Sequence, residues 1–294
     1  MTARIFTLMT ALCLSPGCDT PSAGDLGEKE PEEPTASVGA DVGVEADASC
    51  DPSRPQGPAP RLMFVLDKSS SMGAGTRESA PPLLGRPSRW ARAHALVEEL
   101  TARVEGEAQF GALLFPSRYA DVGGDAVACD VLDVPDLPVG PYTSAQLVER
   151  LPAADTVDFA GGSPATQAMW TALHSLLAQP SGGAKAAIVL VTDGGANCAD
   201  EDAPLAEFDA DLADVVAFAR DTMEIPTFVV AALPAEEAQA IPAVNPREAL
   251  AAIARAGGAP HPETGFFSVD DADGVLAAIS GRLGVGAPAT DACP

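Results

Sequence analysis

Three short segments of this chain carry oxygen donors from which a cation site could be built. Asp67-Lys68-Ser69-Ser70-Ser71 sets a carboxylate and then hydroxyls two and four residues later. Gly161-Gly162-Ser163-Pro164 offers another hydroxyl, and Asp193-Gly194-Gly195 a second carboxylate. Asp67, Ser69, Ser71, Ser163 and Asp193 are all hard donors, with no sulfur or imidazole among them. Such a set selects Mg2+, with Mn2+ or Ca2+ as close alternatives, over zinc or copper. Only two of the five are charged, so a divalent ion held there would stay electrophilic. It would keep positions open for water or for an Asp or Glu carboxylate from a partner protein. Each segment also has a plainer reading. Serines after an Asp often only close a turn through local hydrogen bonds, Ser163 before Pro164 makes a good helix N-cap with Pro at the first helical position, and Thr192-Asp193-Gly194 is a turn signal.

The elements that would position these residues are legible as apolar runs alternating with helical periodicity. Residues 61–67, 108–115, 186–193 and 225–233 are short, nearly continuous apolar runs, as expected of strands buried on both faces of a parallel sheet, and 266–269 is a last strand. Residues 88–104 place Trp90, Ala93, Val97, Leu100 and Val104 at spacings of three and four, and 164–178 repeats the pattern with Met169, Leu173 and Leu176. Further helices are expected over 209–220, 246–256 (ended by Gly257-Gly258) and 272–283, with a short one over 144–151. Residues 130–139 alternate, and Pro135 and Pro138 suit an edge strand better than a central one. Strand alternating with helix predicts a doubly wound, mostly parallel α/β sheet flanked by helices, a Rossmann-like domain over 61–284. In such sheets ligands bind at the carboxyl ends of the strands, where Asp67 and Asp193 fall.

With that order in view, DKSSS resembles the DxSxS motif of von Willebrand factor type A (vWA) domains, GGSP their GG-Thr-Pro segment, and VTDG their third motif. The resemblance extends to Trp90, to FGALLFPS and to Cys198 just after the third motif. It implies a metal-ion-dependent adhesion site with Asp67, Ser69, Ser71, Ser163 and Asp193 as ligands, some through water. Ser163 stands where Thr is usual, which keeps the hydroxyl on a less stiff side chain. Thr166 would lie one helical turn inside. The implied role is metal-dependent binding of a protein partner, not catalysis. A purely structural envelope protein is the main alternative. A hydrolase is less favoured, because a phosphatase built on a strand-end Asp nucleophile needs a second Asp two residues on, where this chain has Ser69, and no GxSxG, HExxH or GxxxxGK[ST] occurs.

The N-terminus reads as an address. Arg4, the apolar run 5–14 and Gly17-Cys18 resemble a bacterial lipoprotein signal, with residues 1–17 removed and Cys18 acylated. Residues 18–60, rich in Pro, Gly, Ala and acid, lack the apolar surface to fold and are expected to form a disordered tether. The expected location is the cell envelope, lipid-anchored, with the outer membrane favoured and the domain periplasmic or surface-exposed. Of six cysteines, Cys13 leaves with the signal and Cys18 takes lipid. The remaining four allow three connectivities. Cys50 and Cys293 bracket the folded region, whose ends often lie together, so they are paired, and Cys129 is paired with Cys198. A tail over 285–294 carries Cys293.

Composition narrows the partners. A formal net charge of -25, from 17 Lys+Arg against 42 Asp+Glu, opposes nucleic acid, and leaves the lipid anchor as the one contact with membrane. A monomer is expected. His94, His174 and His261 read as structural or surface residues, and Asp200-Glu201-Asp202 as a solvated acidic loop.

Overall fold

The structure, a computed structural model, describes residues 57–73, 87–117, 128–156, 158–194, 196–198, 205–233 and 245–285, the side chains of 205–210 excepted. These lie in the second of the chain's two compact units, Ser49–Pro294. The signal, Cys18, Cys50, Cys293, most of the tether and Asp200-Glu201-Asp202 fall outside the described residues.

Six strands form one sheet: β1 (Arg61–Asp67), β2 (Gln109–Phe115), β3 (Leu137–Gly140), β4 (Ala186–Thr192), β5 (Thr227–Ala231) and β6 (Phe267–Ser268), in the spatial order β3-β2-β1-β4-β5-β6. All pairs are parallel except β2–β3, which is antiparallel. The helices are α1 (Arg89–Arg103), α2 (Ser144–Val148), α3 (Ala165–Ala178), α4 (Leu205–Met223), α5 (Pro246–Ala256) and α6 (Ala272–Leu283).

Strand alternation sorts the core into two layers. Leu62, Phe64 and Leu66 of β1 face α1, α2 and α6, packing with Trp90, Leu147 and Ile279. Met63 and Val65 face α3, α4 and α5, packing with Met169, Val216 and Ile253. β1 and β4 are buried along their whole lengths, which is why neither shows a polar-apolar alternation in sequence. Each large side chain so enclosed contributes about 1.5–3 kcal/mol.

The expected doubly wound sheet is therefore present, with differences of detail. β3 is an edge strand but covers only 137–140 of the expected 130–139. Its Pro138 is tolerated at the edge, and just before it the Asp136 carboxylate accepts the Leu114 backbone N–H at 2.7 Å, replacing a ladder partner. α2 stops at Val148, although it begins with the Thr143/Gln146 capping box. α4 is longer than the expected 209–220, ending where Glu224 takes φ 56. β5 and β6 are shorter than the apolar runs around them, because pairing ends before burial does.

Candidate functional site

Strand order decides where the site lies. The chain leaves β1 toward β2 on one side and leaves β4 toward β5 on the other, so the crevice between the carboxyl ends of β1 and β4 is the topological switch point of the sheet. Asp67 ends β1 and Asp193 follows β4. By strand period, Asp67 shares the face of Met63 and Val65, and Thr192 that of Ile188 and Leu190, both turned toward α3. Ser163 sits just ahead of α3 on that face.

Asp67 is the centre of the network and is 1% exposed. Its Oδ1 accepts the Ser69 backbone N–H at 2.8 Å. Its Oδ2 accepts the Ser163 hydroxyl at 2.8 Å and the Thr192 hydroxyl at 2.7 Å. Ser69 Oγ and Ser71 Oγ are 3.1 Å apart across the turn that opens the short 3-10 helix Ser70–Met72. The Ser70 N–H donates to the Gly161 carbonyl at 3.2 Å, fastening the first motif to the second. Burial, then the Asp193 carboxylate, pushes the Asp67 carboxyl up to about 6, against the hydrogen bonds from Thr192 and Ser69 that pull it down.

Two residues of this network carry no signal of their own in the sequence. Arg89, the first residue of α1, pairs with Asp193 Oδ2 and also donates to the Ser71 carbonyl at 3.2 Å. Asn197 Oδ1 accepts the Ser163 backbone N–H at 2.6 Å. A third, Thr192, would follow from strand alternation once the β1–β4 register was known.

The Cys129–Cys198 disulfide, as paired from the sequence, buttresses this arrangement, with Cα atoms 5.6 Å apart. A Cβ on Gly162 would meet Cys198 Sγ at 2.5 Å and Asn197 Oδ1 at 3.0 Å, so only glycine lets the Ser163 segment lie this close to the bridge. Gly161 takes φ 97, a conformation that disfavours other residues. The N-cap reading of Ser163 is not realised. Pro164 holds the cap position without a side-chain cap bond, and the Ser163 hydroxyl is committed to Asp67 instead.

All five sequence-derived donors thus gather at one edge. Among the described residues no group of three or more His, Cys, Asp or Glu side chains could hold a metal, so a cation here would depend on hydroxyls. The donor set fits a hard cation: two carboxylates close enough that the charge of Asp193 raises the proton affinity of Asp67, beside three hydroxyls. His94, His174 and His261 lie elsewhere, packed against Trp90, Trp170 and Phe267 respectively. Beside the site, a groove of about 450 Å3 is lined by Pro164, Thr166, Trp170, His174, Ala196 and the disulfide.

Compared with family profiles the chain matches none, and no curated protein matches it in sequence. Its fold is similar to solved structures. The pilus adhesin SpaC from Lactobacillus rhamnosus GG superposes with a TM-score of 0.50 at 14% identity, over 78% of this chain and 30% of SpaC. The PilB minor pilin from Streptococcus sanguinis gives 0.49 at 12% identity over 77% of this chain. The vWF domain of the type V pili tip protein Mfa5 from Porphyromonas gingivalis gives 0.47 at 9% identity, over 78% of this chain and 97% of that domain. The chain spans 61% of the PilB minor pilin's length.

Proposed function

We propose that this chain is a vWA-type adhesion module of the cell envelope that binds a protein partner through a divalent cation, Mg2+ by preference. Asp67, Ser69, Ser71, Ser163 and Asp193 would hold the ion, some through water, and a partner Asp or Glu carboxylate would complete its coordination. The observation that carries this reading is the convergence of three motif segments on one buried carboxylate at the switch point of the sheet. A carboxylate this buried beside a second one lacks a full counter-charge, and a divalent cation would supply it. Solved neighbours of the fold include a pilus adhesin. Adhesion is proposed here from the site and not from that likeness.

The same site disfavours catalysis, since Ser69 occupies the position where a strand-end Asp nucleophile would need its acid partner. The export signal, Cys18 acylation and the tether belong to this proposal. Among the described residues no helix is long and apolar enough to cross a membrane. The test is a pull-down from envelope extract, using the chain and its Asp67→Ala variant with and without chelator. The reading expects a partner captured by the parent in Mg2+, and lost both on adding chelator and in the variant. Capture indifferent to both would refute it.

A further inference from the structure

At the opposite edge of the sheet, where β1, β4 and β5 begin, a cavity of about 590 Å3 is lined by Arg61, Lys185, Arg220 and Arg282, with Glu224 on its wall. In a chain of net charge -25 this is a local reversal of sign. Arg220 is compensated by Asp221, its sequence neighbour. The other three reach backbone carbonyls: Arg61 Nη1 donates to Leu176 O at 2.9 Å and Gln179 O at 3.3 Å, Lys185 Nζ to Arg282 O at 3.2 Å, and Arg282 Nη2 to Gly258 O at 2.8 Å. Among the described residues none of the three has a carboxylate within ion-pair distance.

Binding the last carbonyls of a helix explains part of this arrangement, because cations favour helix C-termini. Carbonyl dipoles do not neutralise three whole charges. Arg61 is the sharpest case: it is 6% exposed, it opens β1, and its Nε has no acceptor. A buried cation left without a counter-charge is among the costlier arrangements a fold can carry.

We propose that this cavity binds a phosphate-type anion, with Arg61, Lys185 and Arg282 supplying the charge. Two guanidinium groups suit the paired oxygens of a phosphate better than ammonium groups would. Three uncompensated cations against the one exposed carboxylate of Glu224 match a group carrying about two negative charges, as phosphate does near neutral pH. The volume lies within the roughly 300–1,000 Å3 usual for small-molecule sites, leaving space for the organic part of a phosphate ester. That ester could be soluble or the headgroup of a lipid. The site is independent of the cation edge.

The test is calorimetric titration of the full chain with inorganic phosphate in Mg2+-free buffer, alongside sedimentation with phosphatidic acid and with phosphatidylcholine vesicles. We expect saturable 1:1 binding of inorganic phosphate, or saturable binding to phosphatidic acid vesicles and not to phosphatidylcholine if the source is a membrane. It should be unchanged in Asp67→Ala and at least tenfold weaker in a Lys185→Gln/Arg282→Gln double variant. Both of those side chains are exposed, so the fold should survive, as thermal unfolding will show. No saturable binding to either probe, binding indifferent to the double variant, or binding lost in Asp67→Ala would each overturn the proposal.

Discussion

Replacing Asp67 by Asn should stabilise the metal-free protein while removing its response to Mg2+. The Asp67 carboxyl is raised from 3.8 to about 6 in the fold. At neutral pH, holding it ionised therefore costs the native state about 3 kcal/mol relative to the unfolded chain. An Asn amide keeps the shape and removes the charge, but it can accept on only one atom. It would satisfy Ser163 and Thr192 and turn its NH2 on the Ser69 N–H, returning about 1–2 kcal/mol of the gain. The net is about 1–2 kcal/mol of stabilisation, or about 2–8 °C in Tm for a domain of this size. The sign of the pH dependence is fixed by the same shift. Because the folded pKa is the higher one, the native state binds more protons between about 4 and 6, so metal-free parent stability falls as pH rises through that window. Below pH 4 that cost is gone, so the parent should then be the more stable of the two by about the 1–2 kcal/mol that the amide forfeits. At neutral pH saturating Mg2+ should reverse their order, since only the parent gains, by about 2.7 kcal/mol at a hundred times Kd. Thermal unfolding across pH, with and without Mg2+, reads all of this. An Asn variant that is less stable than the parent without metal at neutral pH, or that gains equally from Mg2+, would refute the reasoning.

Arg89 holds Asp193 Oδ2, where it would compete with the proposed cation, so Arg89→Ala should tighten Mg2+ binding several-fold by calorimetry, on the order of 1 kcal/mol for a partly exposed pair. Unchanged or weaker affinity would make Arg89 a support for Asp193 instead. The Cys129–Cys198 bridge joins residues 69 apart, for which chain entropy gives about 4 kcal/mol, so the double Ser variant should unfold far earlier and lose Mg2+ stabilisation as Asn197 releases Ser163. Glu224 holds φ 56 at the end of α4, so Glu224→Gly should raise stability by up to about 1 kcal/mol, read as a small rise in the urea midpoint.

Much of the site was legible because the motif residues stand directly at element ends, where a period-2 or period-3.6 pattern breaks. Asp67 and Asp193 close continuous apolar runs, and Ser163 follows two glycines before a helix. Thr192 is different. It reads as the last residue of a β-branched strand, and its bond to Asp67 depends on the β1–β4 register, which a sequence does not display. Arg89 and Asn197 act through long-range contacts, 104 and 34 residues along the chain from Asp193 and Ser163, and neither has a local pattern to mark it. The fold followed the same division. The buried central strands fall within a residue or two of their apolar runs, whereas β3 and β6, at the two edges and paired on one side only, cover less than the patterns around them.

The central claim is that a hard divalent cation sits at the carboxyl edge of β1 and β4. A crystal grown with Mn2+ and measured for anomalous scattering tests it most directly. The account predicts a peak about 2 Å from the Ser69 and Ser71 hydroxyl oxygens, with Ser163 and Asp193 in its coordination sphere directly or through water and Arg89 turned away from Asp193. A crystal with Mn2+ bound elsewhere, or with none at this edge while Arg89 stays on Asp193, would contradict it.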